Sequence, residues 1–180
     1  DYLMTDPWYI AVEPFDPTFG DTWTNYIDQS GLIQLKEVVS LDGCLCPNLI
    51  EELKPEDWEY NIREDCFFFA DLNYLLKRVG KAKQVNILAT IQNPQTECQD
   101  AFPDSRFDFK GYDVVEVCAD SSALTNCGGF PKAFKNEELS DTGLISSLER
   151  ANAVKLLLKE HYPNQDHANC DVWALWKMYP

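Results

Sequence analysis

The chain has 180 residues, 45% of them apolar and 13% aromatic, and thirty acidic against fifteen basic side chains give it a formal charge of −15. That is enough apolar material to bury a core without disulfide or metal staples, and one domain spanning 1–180 is the economical reading. A field this negative repels nucleic-acid phosphates and anionic membranes while attracting basic protein surfaces, and no apolar run is long enough to cross a bilayer.

Trp8–Val12 (WYIAV) reads as a first strand, closed by Pro14 and Pro17, because proline cannot donate to a ladder. Trp23, Tyr26 and Ile27 fall at helical spacing and predict a short helix over 21–29, ended by Gly31. Leu32–Leu41 is apolar with an irregular alternation and predicts a strand, after which Asp42-Gly43 supplies a turn. Pro47 and Pro55 each stand at a plausible helix start, the second followed by Glu56 and Asp57 in an acidic first turn. A third helix is expected over Cys66–Val79, with Gly80 at its end.

Val85–Ile91 alternates cleanly and is the clearest strand, with one face buried and the other mixed. Gln95–Lys110 lacks periodicity and reads as a surface loop pinned by Phe102, Phe107 and Phe109. Tyr112–Cys118 is a strand that empties into a loop of small polar residues, and 131–138 forms a helical turn. Gly143–His161 is the longest helix, and Asp171–Tyr179, apolar on both faces, is expected to be an interior strand. The order does not repeat a βαβ unit, so the expected fold is α+β: a largely antiparallel sheet of about five strands with helices packed on one face.

Seven cysteines, an odd number without the spacing of a disulfide scaffold, point to reduced thiols and a cytoplasmic location. Cys127 sits between Asn126 and Gly128-Gly129, where small neighbours leave backbone N–H groups free to meet an oxyanion. His161 and His167 are the only histidines available as its base. The competing reading is a glycine-rich turn in which Cys127 packs as a small hydrophobe. A second constellation, Cys44, Cys46, His167 and Cys170, would make a Cys₃His set for structural zinc. Cys-x-Cys is a poorer chelating spacing than Cys-x₂-Cys, so buried free thiols stand as its alternative.

A third feature recurs three times: carboxylates interleaved with aromatic rings, around Trp23, across Glu56, Asp57 and Trp58, and from Asp104 to Asp108. Aromatic anchors ringed by acids suit a basic protein partner, the rings supplying affinity and the charges steering and discrimination. Core rings flanked by a solvated face would give the same pattern. P-loop, dinucleotide, zinc-protease and serine-hydrolase signatures are all missing from the sequence. Modest size, strong acidity and free cysteines together resemble the general profile of immunity and inhibitor proteins, a profile that carries no residue roles. The function expected is therefore an acidic protein-binding module, immunity- or inhibitor-like, engaging a basic partner; the alternative is a cysteine-dependent enzyme built on Cys127.

Overall fold

A computed structural model describes residues 6–16, 35–64, 67–81, 84–99, 104–117, 120–125 and 129–179. Six strands form one antiparallel sheet: β1 (Trp8–Val12), β2 (Ile62–Arg63), β3 (Phe68–Phe69), β4 (Asn86–Gln92), β5 (Phe107–Glu116) and β6 (Cys170–Met178). Their spatial order is β2-β3-β1-β4-β6-β5. Two α-helices accompany them among the described residues, α1 (Leu72–Val79) and α2 (Leu148–His161), with 3₁₀ turns at Pro55–Tyr60, Asn136–Glu138 and Asp166–Ala168. The fold is α+β, as the mixed element order implies. α1 packs against β1, and α2 against β5 and β6.

β6 lies between β4 and β5, which is why its run is apolar on both faces. β4 is also interior and is buried on both faces from Asn86 to Ile91, where alternation alone predicts one mixed face. Pairing register sorts the side chains. Arg63 lies opposite Phe68, Gln92 opposite Trp173, and Trp173 opposite Asp113, all on one face. In β5 the register shifts between Phe109 and Gly111. Gly111 adopts φ 137° there, and a Cβ on it would stand 2.8 Å from Leu144 Cβ and 2.9 Å from the Ile145 carbonyl oxygen. Only glycine lets that loop close on the strand.

Several elements depart from expectation for identifiable reasons. The described part of Leu32–Leu41 is not a strand, because its backbone donors bond to a loop: Lys36 N–H to the Asp141 carbonyl (2.9 Å) and Val39 N–H to that of Thr142 (3.1 Å). No helix starts at Pro47. That segment instead exchanges bonds with the end of β1, Glu13 N–H reaching the Pro47 carbonyl at 2.7 Å and Leu49 N–H that of Ala11 at 3.0 Å. The Phe68-Phe69 pair buries its rings as a strand, and α1 starts only after Asp71, whose carboxylate accepts the Tyr74 N–H at 2.8 Å. α2 starts after Ser147, whose hydroxyl accepts the Arg150 N–H at 3.1 Å, while Ile145 forms a bridge with Tyr112. The surface loop after β4 is shorter than expected, since β5 already begins at Phe107. The helix expected over 21–29, with Trp23, lies outside the described residues.

Candidate functional site

The face of the sheet that carries Asp113 and Trp173 is covered by the segment running from Val38 to Cys46, and two buried carboxylates hold it there. Asp113 is wholly buried. One of its oxygens accepts the Ser40 hydroxyl (3.0 Å) and the Leu41 N–H (2.9 Å), and the other accepts the Ser122 hydroxyl and the Val114 N–H. Burial pushes its carboxyl up, against the pull of the Ser122, Leu41 and Ser40 donors. Asp42 accepts the Cys44 and Leu45 N–H groups, at 3.0 and 3.2 Å, and from the loop after β5 the Ser122 N–H and the Thr125 hydroxyl, at 3.1 and 2.9 Å. The expected Asp42-Gly43 turn is thus present, and its aspartate ties two distant loops together. Gly43 permits close approach, since a Cβ there would fall 1.9 Å from an Asp120 carboxylate oxygen.

The small polar loop that the sequence singles out is therefore a structural clasp at Ser122 and Thr125. Cys127 itself lies outside the described residues. His167, its prospective base, is buried beside that loop, with Nε2 3.1 Å from the Ser121 hydroxyl and its ring against Phe130. His161 is exposed at the end of α2.

The prospective zinc ligands are not gathered. No three histidine, cysteine or acidic side chains among the described residues form a group able to hold a metal. Cys46 Sγ points at the Val38 carbonyl, 3.8 Å away, and Cys170 Sγ donates to the His167 carbonyl at 3.2 Å. Burial pushes both thiols up to about 12, the reverse of what a thiolate ligand or nucleophile needs. Cys44, Cys46, Cys98 and Cys170 are free, and of these four Cys44 alone is exposed, with its thiol held above the ordinary range by Asp42. Among these four, alkylation of native protein should modify Cys44 first and slowly at neutral pH, and mass spectrometry should find the other three protected until denaturant is added.

On the Trp173 face of the sheet lies a cavity of about 480 Å³. Ile10, Val12, Leu41 and Val115 form apolar wall, and Phe68 stacks on Trp173 with ring centroids 5.1 Å apart. Arg63 lies over Trp8, Phe68 and Trp173, its guanidinium carbon 5.9, 6.0 and 5.7 Å from the three centroids. Its Nη1 donates to Gln92 Oε1 at 2.8 Å, and Gln92 Nε2 donates to Asp171 at 2.9 Å. Phe67, also in the wall, has φ 53°, a left-handed backbone that bulky residues rarely adopt. Glu116 and Asp120 stand at the cavity as well.

The second candidate surface is the segment around Trp58. This tryptophan is 52% exposed on the Pro55–Tyr60 turn, with Glu51, Glu52, Glu56 and Glu59 exposed about it. None of these glutamates forms an ion pair with another described residue. Asp57, expected on the surface with them, is instead fully buried. Its carboxylate accepts the Tyr74 hydroxyl (2.5 Å), Arg78 Nε (3.0 Å) and the Lys54 N–H (2.7 Å), while Arg78 Nη2 also reaches the Glu52 carbonyl at 2.8 Å. Burial opposes ionisation of Asp57, but the Tyr74, Arg78 and Lys54 donors outweigh it and hold the carboxyl below its ordinary value. Tyr60 stacks on Tyr74, centroids 3.6 Å apart. α1 thus clamps the turn from beneath and fixes the side that faces out.

In the third acidic aromatic segment, Asp104 is taken by Arg106 in a two-point pair, with a closest contact of 2.7 Å, and Asp108 lies 3.4 Å from Lys110. Phe107 is buried and Phe109 packs edge-on against Trp176. Those rings belong to the core. The sequence reading missed Arg63, Gln92, Asp171 and Trp173 as wall residues; the available signal for the clasp was Asp113, an acid set between Tyr112 and the apolar Val114-Val115 pair. No family model, curated protein or solved structure matches this chain. Among the described residues no helix is long and apolar enough to cross a membrane.

Proposed function

We propose that this protein is a binding module that engages a basic protein partner through the acidic aromatic surface at 51–60. The observation that carries the reading is the half-exposed Trp58 among Glu51, Glu52, Glu56 and Glu59, on a turn clamped by the buried Asp57–Arg78 pair. A rigid aromatic anchor loses little entropy on binding, and unpaired carboxylates around it steer a cationic surface and reject an anionic one. The long-range field of a chain with charge −15 acts in the same direction. Of the two acidic aromatic segments among the described residues, this one supplies both an exposed ring and carboxylates that are not already paired.

A pull-down at low and high salt, run with wild type and with Trp58→Ala, tests the reading. The partner should be a basic protein, released as salt screens the rim charges, and the variant should lose affinity by roughly 2 kcal/mol or more. A partner retained equally at high salt and by Trp58→Ala would overturn it.

A further inference from the structure

Beyond the protein surface at Trp58, we infer that the cavity on the Trp173 face is a binding site for a small organic cation with a flat apolar body. Its volume, about 480 Å³, is that of a pocket for one small molecule. The wall sets the body: Ile10, Leu41 and Val115 are aliphatic, backed by the buried Phe68–Trp173 stack beneath Arg63.

The polar groups set the charge. Arg63 is already engaged, donating to Gln92 and lying among three aromatic rings, and Asp171 accepts Gln92 Nε2 and Asn93 Nδ2, each at 2.9 Å. Glu116 and Asp120 are different. Neither carboxylate accepts a hydrogen bond or ion pair from another described residue, and both stand at the cavity. The Glu116 N–H to Ser121 carbonyl bond (2.9 Å) and the Gly43 N–H to Asp120 carbonyl bond (2.8 Å) fix the backbone that carries them. An anionic ligand would meet three carboxylates, Glu116, Asp120 and Asp171, against the one guanidinium of Arg63, whereas an ammonium or guanidinium head finds two free acceptors beside an apolar wall. Carboxylates beside an apolar pocket thus select both halves of the ligand.

Isothermal titration of the full chain with benzyltrimethylammonium, and with phenylacetate as its anionic counterpart, tests this in about 150 mM salt, where loose counterion attraction is screened. The cation should bind one saturable site, at least about tenfold tighter than the anion. Glu116→Gln with Asp120→Asn should weaken the cation by about tenfold or more. Both residues are at least partly exposed, so the melting temperature should hold. Trp58→Ala should leave cation binding unchanged, which separates this site from the protein-binding surface. Absence of a saturable cation site, equal affinity for the two probes, or wild-type affinity in the double variant would each overturn the proposal.

Discussion

Replacing Asp113 by alanine should cost about 3 kcal/mol or more of folding stability, read as a fall in the denaturant midpoint at constant slope. The cost arises from what the carboxylate leaves behind. The Ser40 and Ser122 hydroxyls and the Leu41 and Val114 N–H groups all donate to it, in a region with no water access. Each buried donor left without an acceptor carries its own desolvation penalty of about 1–3 kcal/mol, only partly relieved where a hydroxyl can turn to another acceptor. Asp113→Asn keeps one acceptor oxygen but turns an amide toward donors, so an intermediate loss is expected. Should the alanine variant not fold, Ser122→Ala gives the milder reading. A loss below about 1 kcal/mol in Asp113→Ala would show that the clasp does not hold the 38–46 segment on the sheet.

Arg78→Met should be nearly as damaging, by roughly 3–5 kcal/mol, because it leaves a fully buried Asp57 carboxylate without its countercharge. The pH dependence gives this prediction its signature. Asp57 has a folded-state pKa below its ordinary 3.8, so its contribution is fully present above that value and is lost as pH falls through the lower folded one. In the variant, burial without the arginine raises the Asp57 carboxyl, so the stability gap between wild type and Arg78→Met should begin to close as pH falls through that raised value and finish closing below 3.8, at the lowered wild-type one. A gap that stays constant through that window would mean that the variant's loss comes from packing of the arginine stem and not from the ion pair. The variant also bears on function, since Arg78 holds both Asp57 and the Glu52 carbonyl under the exposed Trp58.

The two buried aspartates explain why the sites were hard to read. Asp57 lies in a run of glutamates and aspartates that looks uniformly solvated, yet it is the one acid of that run that α1 draws inward, by placing Tyr74 and Arg78 over it. Nothing in PEDWEY distinguishes it from Glu56 or Glu59. Asp113 is the opposite case, an acid whose immediate neighbours, Tyr112 and Val114, are largely apolar, which marks it as buried but leaves its partners 73 and 9 residues away unnamed. Cavity residues are harder still. Arg63, Gln92 and Trp173 come from three strands that meet only through the order β2-β3-β1-β4-β6-β5. No local spacing encodes that order.

What the sequence determined by itself follows from short-range physics. Alternation and β-branching placed β1, β4, the core of β5 and β6, and the doubly apolar run of β6 marked it as interior. A breaker located one end, Gly80, with φ 66°, after the first helix, whereas both helices start later than their periodicity predicts, after the caps Asp71 and Ser147. Tertiary structure decided the rest, because it concerns backbone donors that find partners far along the chain. Val38 and Val39 have strand composition but lie beside a loop, and the Pro47 segment has a helix-start signal but pairs with β1. Exposure of Trp58, burial of Asp57 and convergence of Glu116 and Asp120 on one cavity likewise depend on which surfaces the sheet brings together, a choice made by the whole core rather than by any stretch of it.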